Sequence, residues 1–386
     1  MAKTSAEFDI IVYGASGFTG RLIAEYLTQR GIENWAMAGR STTKLAEVRD
    51  LIGAPANTPL IEADASAPDS LTAMCNRARV IITTVGPYQL YGNELVAACA
   101  ATGTDYVDLC GEPAWMRQMI DAHDAVAKAS GARIVFSCGF DSIPFDLGVW
   151  FLQQEAIKRF GKAAPRVRCR VRSMQGGASG GTVASLKATM AAAAKNPKIV
   201  ALLTNPFALT PGFEGPSQPT GLIPEYDRAN GVWLAPFVMA PINTKNVHRS
   251  NALLGHAYGA DFVYDEMMVT TLRDAGMAVG DLIAMANPFA GSTLKPGEGP
   301  DKAARDAGFY DLLFIGEIDG KEALRVAVKG DRDPGYGSTS KMIAESALTL
   351  LEQPDAAAGV STPGGIMAAP LLARLVAHAG LTFETE

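Results

Sequence analysis

Two loops carry side chains able to move protons or stabilise charge. Tyr88 follows Thr84-Val85-Gly86-Pro87, and Asp141 and Ser142 follow Cys138-Gly139-Phe140. A phenol can hydrogen-bond to charge developing on an oxygen without ionising at neutral pH, and a serine hydroxyl can share that oxygen. A carboxyl such as Asp141 can orient either donor or relay a proton. The set suits hydride-transfer chemistry, in which the protein orients the acceptor and stabilises or protonates the enolate that forms. Each residue also has a structural reading. Tyr88 would be a half-buried aromatic at a domain edge, and Asp141 the cap of a helix beginning near Pro144. Asp108, Gly111 and Glu112 end the fifth strand in the same crevice, where Glu112 reads equally as a helix-start carboxylate before Pro113. The histidines are His123, His248, His256 and His378, with no two in metal-ligand spacing, so no metal site is expected.

The loops need a cofactor to work on, and the chain begins with a cradle for one. Ile10, Ile11, Val12 and Tyr13 read as a buried strand, and Gly14, Gly17 and Gly20 recur every third residue before a helical pattern. The first glycine permits a tight turn, the second a close approach of backbone to a pyrophosphate, and the third close packing of helix on strand. Ser16, Phe18 and Thr19 lie between them, and free N–H groups from Phe18 to Arg21 supply an anion site. At the end of the second strand stands Gly39-Arg40-Ser41, with Lys44 one turn on, where an NAD enzyme usually has a carboxylate. Arg40 can stack beside adenine and pair with a 2′-phosphate, Ser41 can donate a hydrogen bond, and Lys44 adds charge. NADP(H) is the expected cofactor. Asp64 lies where such folds contact the adenine, or else caps the helix after it. Val85, Gly86 and Pro87 bring backbone to the cofactor from the fourth strand.

The elements that position these groups follow from periodicity. Over 9–139 short apolar strands alternate with amphipathic helices, which predicts an α/β fold with a doubly wound parallel sheet of six strands. We expect a dinucleotide-binding Rossmann domain over 1–145, an inserted α+β substrate or dimerisation domain over 146–332, and a helical segment over 333–386 packing back on the first domain. RVRCRVRSM (166–174) alternates strictly, as a strand of an antiparallel sheet buried on one side. Its Arg166, Arg168, Arg170 and Arg172 form a stripe that is a solvated, edge-protecting face or a docking surface for an acidic carrier protein or a phosphopantetheine. The glycine-rich run 176–182 opens a helix, as a second anion cradle or a flexible helix entry. Residues 204–250 read as a lid or long loops, and 310–330 as a hairpin turning at Asp319-Gly320. A net charge of −6 argues against a general nucleic-acid binder. Cys75, Cys99, Cys110, Cys138 and Cys169 form no CxxC pair and fit a reducing cytoplasm. No apolar run approaches the ~18 residues of a spanning helix.

Six segments together carry a family resemblance: GASGFTG, AGRS, TTVGPY, CGFDSIPFDLG, PGEGPDKAARDAGFY and DPGYGSTSKMIAESALTLL. The chain resembles the saccharopine dehydrogenase-like oxidoreductases, and within them the trans-acting enoyl reductase branch. The resemblance implies an NADP-binding Rossmann domain with an inserted α+β domain. It also implies hydride delivery to an enoyl thioester, a lipid or polyketide acyl chain held by a partner synthase or carrier protein. Two alternatives stay open: a saccharopine-reductase-like imine or amino-acid dehydrogenase, and an NADP-sensing regulator without turnover. A homodimer is a further open expectation.

Overall fold

The structure is a computed structural model that describes residues 3–386 apart from 4, 178, 229, 271–293 and 296. Ala178 of the glycine run and Pro296 of the PGEGP segment thus lie outside the described residues.

The first half alternates strand and helix. In order it runs β1 (Phe8–Tyr13), α1 (Phe18–Gln29), β2 (Trp35–Gly39), α2 (Thr42–Leu51), β3 (Leu60–Glu62), α3 (Pro68–Asn76), β4 (Ala78–Thr83), α4 (Tyr88–Tyr91), α5 (Asn93–Thr102), β5 (Asp105–Val107), α6 (Pro113–Ser130) and β6 (Arg133–Val135). The second half holds α7 (Ile143–Phe160), β7 (Arg166–Gln175), α8 (Gly180–Lys195), α9 (Pro197–Thr204), β8 (Glu225–Asp227), β9 (Val232–Pro236), α10 (Ala240–Leu253), β10 (Val263–Thr270), α11 (Lys302–Ala307), β11 (Phe309–Ile318), β12 (Lys321–Gly330), α12 (Thr339–Glu352), β13 (Gly359–Ser361), α13 (Pro363–Ile366), α14 (Ala368–Arg374) and β14 (Leu381–Thr385).

β1 shows why the first sheet reads as uninterrupted apolar runs. Ile10 and Val12 enter one core cluster, with Leu147 and Val149 of α7 and Ile343 of α12. Ile11 and Tyr13 enter another, with Leu71 and Leu95. Both faces are covered, as a parallel sheet requires. The strand order is β13-β6-β5-β4-β1-β2-β3, all parallel. The order reverses beside β1, and at that switch point the strands' carboxyl ends open a crevice. The seventh strand, β13, comes from far along the chain and goes beyond the six expected.

The second sheet has the order β14-β12-β11-β7-β10-β9-β8. It is mixed: β7 pairs antiparallel with β11 and parallel with β10, which corrects the expectation of an antiparallel sheet. The hairpin β11–β12 turns where expected, with Asp319 and Gly320 at φ +54° and +72°. Val167, Cys169 and Val171 face a core shared with Leu152 of α7.

The arginine stripe is not a solvated edge, because β7 lies in the middle of the sheet. Arg170 is buried and donates to Asp265 Oδ2 at 2.7 Å, and Arg166 pairs with the same carboxylate. Arg168 lies 2.7 Å from Glu317, and Arg172 lies 2.7 Å from Asp311 and 2.8 Å from Glu386. All four charges are met by carboxylates of this chain, which corrects both readings of the stripe.

α12 packs on α1 and β4, tying the end of the chain to the first sheet. Its buried Glu345 accepts from Tyr26 Oη at 2.6 Å and from Arg374 Nε at 2.7 Å. β14 then pairs with β12 in the second sheet.

Candidate active site

The glycine turn after β1 is closed by its surroundings. Gly14 has φ +88°, and a Cβ there would sit 2.8 Å from Thr84 Oγ1 and 2.9 Å from Val85 Cγ2. A Cβ on Gly20 would lie 2.2 Å from the carbonyl oxygen of Gly14, so only glycine lets α1 sit this close to β1. No side chain caps α1, whose N-cap is Gly17. Its first-turn N–H groups are therefore available to an anion. Ser16 is exposed between this turn and Gly39 of β2, while Thr19 is half-buried in the first helical turn. Phe18 is committed to packing: its ring meets Tyr336 edge-on at 5.2 Å, with Arg305 at 5.8 Å.

Arg40 is exposed at the end of β2 and close enough to Asp64 to help hold its carboxyl below the usual range. The larger cause is local, since Asp64 Oδ1 accepts from the N–H of Ser66 at 2.8 Å and from its hydroxyl at 2.7 Å. Asp64 thus shapes the turn before α3, whose N-cap is Ala67, and does not cap that helix. Ser41 Oγ accepts from the N–H of Lys44 at 3.3 Å, capping α2. Its proton remains available to a phosphate, and Lys44 is exposed. An exposed cation after β2, an uncapped helix start and a closed glycine turn make a donor set that fits the phosphates of NADP(H).

Across the crevice, Val85, Gly86 and Pro87 leave β4, and Val85 donates its N–H to Thr83 Oγ1 at 3.3 Å. Tyr88 does not face the crevice, which corrects the expected donor. Its ring packs on Trp115 at 5.5 Å, and its hydroxyl donates to Thr83 O at 3.3 Å and accepts from Leu109 N at 3.1 Å. Glu112 makes that burial workable. Its carboxylate accepts from the N–H groups of Tyr88 and Gln89, each at 2.9 Å, and so caps α4, not its own helix. Asp108 is likewise structural, accepting from Cys110 N, Ser137 N and Tyr106 Oη at 3.0, 2.9 and 2.8 Å. Burial still pushes its carboxyl up to about 7.

Asp141 is half-buried beyond β6, and a Cβ on Gly111 would lie 3.9 Å from its Oδ2. It does not cap α7, whose N-cap is Ser142 and which has no side-chain cap. Burial pushes its carboxyl up to about 7. Ser142 is fully buried, and its Oγ accepts from Asn246 Nδ2 at 2.8 Å.

Asn246 belongs to α10, in the stretch expected to be a lid or loops. α10 instead buries a polar face in the interior. Asn243 Nδ2 donates to Glu266 Oε2 at 2.9 Å, and Tyr264 Oη donates to Glu266 Oε1 at 2.9 Å. Glu266 is buried, which holds its carboxyl well above the usual range, and the nearby Asp141 pushes it the same way. Sequence reasoning misses these residues because a helix with a polar buried face gives no apolar period. The i, i+3, i+7 spacing of Asn243, Asn246 and Ser250 is the signal that could have found them.

Residues 10–135 match the family model of the saccharopine dehydrogenase NADP binding domain. A trans-acting enoyl reductase of Mycobacterium leprae is 38% identical over 408 residues, covering 97% of each chain. A Mycobacterium tuberculosis protein provisionally given that name is 41% identical over 415 residues, covering 100% of this chain and 99% of the relative. The chain belongs to the trans-acting enoyl reductase family. It is an NADP-dependent oxidoreductase of saccharopine dehydrogenase-like fold. The fold itself extends to the apo saccharopine dehydrogenase (L-Glu forming) of Saccharomyces cerevisiae. That structure superposes with a TM-score of 0.52 over 98% of this chain and 100% of its own, at 11% identity. Among the described residues no helix of this family member is long and apolar enough to cross a membrane, and no cluster of three His, Cys, Asp or Glu could hold a metal.

Proposed function

We propose that the enzyme reduces the α,β double bond of an enoyl thioester at the expense of NADPH, on a lipid or polyketide acyl chain delivered by a separate carrier or synthase. The observation that carries this is the chemistry around Asp141 and Ser142. Ser142 is held by the amide of Asn246, and the carboxyl near Asp141 is that of the buried Glu266, which in turn holds the amide of Asn243. These groups suit a neutral thioester better than the carboxylates of an amino-acid substrate, which call for converging arginines or lysines.

In this reading 1–145 binds nucleotide, 146–332 binds acyl chain, and 333–386 joins them. Gly14, Ser16, Gly17, Thr19 and Gly20 take the pyrophosphate with backbone N–H groups. Arg40, Ser41 and Lys44 take the 2′-phosphate, Asp64 borders the adenine, and the Val85–Pro87 loop backs the nicotinamide. Bound NADPH supplies the hydride that reaches the β-carbon. Asp141, protonated for much of the time near neutral pH, hands its proton to the α-carbon and is reprotonated from water. Delivery in trans is the part of this proposal supported by the name of the relatives, and assembly as a homodimer belongs to the proposal alone. Five free, buried cysteines suit a cytoplasmic setting.

NADPH oxidation with crotonyl-pantetheine, set beside 2-oxoglutarate plus lysine, tests the reading. Turnover of the thioester alone supports it. Turnover of the imine-forming pair alone would replace it with the amino-acid dehydrogenase alternative.

A further inference from the structure

We propose that the outer face of α8 and α9 is the docking surface for an acidic acyl carrier protein, which presents the enoyl chain on its phosphopantetheine arm. This rests on the enoyl reductase reading above and names the partner and the face it meets.

Charge in this stretch is one-sided. Residues 176–213 hold Lys187, Lys195 and Lys198 and neither Asp nor Glu, in a chain whose net charge is −6. All three lysines are exposed, and among the described residues none of them is in an ion pair. On α6, against which α9 packs, Asp121 and Asp124 are already paired with Arg117 and Lys128 at 2.8 and 2.7 Å. At the start of α8, Glu298 Oε2 accepts from the N–H of Lys295 at 2.9 Å. Unpaired cations on one face attract an acidic partner, speed its arrival and set its register.

The same helices leave apolar surface uncovered. α8 has 16 residues and buries Gly180 and Val183, while α9 buries none of its eight although it reads PKIVALLT. Leu186, Met190 and Val200 are 38%, 64% and 44% exposed. Leu186 and Met190 stand one turn apart on α8, with Lys187 and Lys195 beside them at i and i+8. Exposed apolar side chains rimmed by polar ones mark a protein interaction surface.

The inner face of α8 rests on the loop after β4, which backs the nicotinamide in the reading above. A Cβ on Gly86 would sit 3.8 Å from Ser185 Oγ, and Gln89 Nε2 donates to Thr189 Oγ1 at 3.2 Å. One turn earlier, Thr182 Oγ1 and Tyr336 Oη share a hydrogen bond at 2.8 Å, and the Tyr336 ring packs on Phe18 at the phosphate turn. A cavity of about 170 Å³ opens here, lined by Gln89, Trp115, Gln118, Thr189, Ala192 and Ile199. A partner seated on α8 and α9 thus stands beside the loop at which the double bond is reduced.

The arginines of β7 offer no such charge, since each is met within the chain. An anionic membrane is the competing occupant. Lipid-binding basic segments gather about 4–8 lysines or arginines, and the three lysines of 176–213 fall short of that.

The test uses the whole enzyme with a crotonyl-loaded acidic acyl carrier protein, and crotonyl-pantetheine as the same thioester without the protein. For the parent, KM for the loaded carrier should lie about tenfold below that for crotonyl-pantetheine at low ionic strength, a gap that shrinks as salt rises. Lys187→Glu, Lys195→Glu and Lys198→Glu together should raise the carrier KM about tenfold. Binding of the butyryl-loaded carrier, read by fluorescence anisotropy, should weaken to the same degree. Kinetics with crotonyl-pantetheine should stay within about twofold. If that variant fails to fold, the three lysines changed to alanine carry the same readouts, with a loss of about threefold. Lys321→Glu, an exposed change at the β11–β12 turn, should leave both substrates unaffected.

A carrier KM equal to that of crotonyl-pantetheine, or one that the charge reversal leaves unchanged, would overturn the proposal. Equal loss of turnover on both substrates would also overturn it, by placing α8 in the reaction and not in docking. Binding of the parent to phosphatidylserine vesicles that the charge reversal abolishes, without a preference for the carrier, would replace the protein partner by a membrane. A parent inactive on crotonyl-pantetheine would sink the enoyl reductase reading, and anisotropy of the butyryl-loaded carrier would still decide the docking surface by itself.

Discussion

The phenol of Tyr88 donates its proton to the carbonyl oxygen of Thr83 at 3.3 Å. With Leu109 N donating to the phenol oxygen, the side chain clamps the loops after β4 and β5 from inside the fold. Tyr88→Phe should therefore cost stability, about 1–3 kcal/mol for two buried backbone groups left unpaired. Urea unfolding measures that loss, and kcat should stay within about threefold. A collapse of kcat with stability intact would return Tyr88 to the chemistry.

Arg40 stands exposed where the ribose of a bound dinucleotide would end. Arg40→Ala should weaken NADPH by about 10–100-fold, the loss of a charge-assisted pair, and leave NADH nearly unchanged. Fluorescence titration with both cofactors gives the answer. Equal losses would show that Arg40 does not read the 2′-phosphate.

Arg170 and Asp265 are both buried, 2.7 Å apart. Removing one partner of such a pair leaves a charge without its counterion, so Arg170→Met should destabilise by about 3–5 kcal/mol. Arg168→Met, at a half-buried pair with Glu317, should cost about 1 kcal/mol or less. Urea midpoints separate the two. Equal, small losses would mean that the stripe is solvated after all.

Asp146 is fully buried, accepts from Gly364 N at 2.7 Å, and has its carboxyl pushed up to about 7 by burial. The folded state then holds this proton more tightly than the unfolded chain. Its contribution is greatest below about pH 4 and is lost as pH rises towards about 7, with each pH step of one in that window removing about 1.4 kcal/mol. Asp146→Asn keeps the acceptor for Gly364 and removes the titration. Between about pH 5 and pH 8 the parent's Tm should fall further than the variant's. Parallel Tm curves would show that Asp146 is charged at little cost.

The first sheet is legible because each strand is buried on both faces and writes that burial as an apolar run, as Ile10 to Tyr13 do. β13 is not, since three residues carry no period and its partner β6 lies more than two hundred residues earlier. In 166–172 the alternation correctly separates Val167, Cys169 and Val171 from the arginines. It cannot place Asp265, Glu317 and Asp311 beside them, because pairing across strands leaves no mark within one strand. The same limit hides the parallel β7–β10 pair. The cofactor loop is readable since glycine spacing encodes backbone shape directly. The polar face of α10 is not. Asn243 and Asn246 are polar residues on a buried face, and polarity in a sequence ordinarily means exposure. Tyr88 misleads for a related reason: the motif places a residue on a loop but does not say which way its ring turns.

Hydride delivery to the β-carbon of an enoyl thioester, with protonation at the α-carbon, fixes where each hydrogen of the product comes from. Mass spectrometry of the product from crotonyl-pantetheine and NADPH deuterated at the transferred position reads that origin. A butyryl product carrying one deuterium at its β-carbon and a solvent-derived hydrogen at its α-carbon is expected. An unchanged crotonyl thioester, or deuterium found elsewhere in the product, would contradict it.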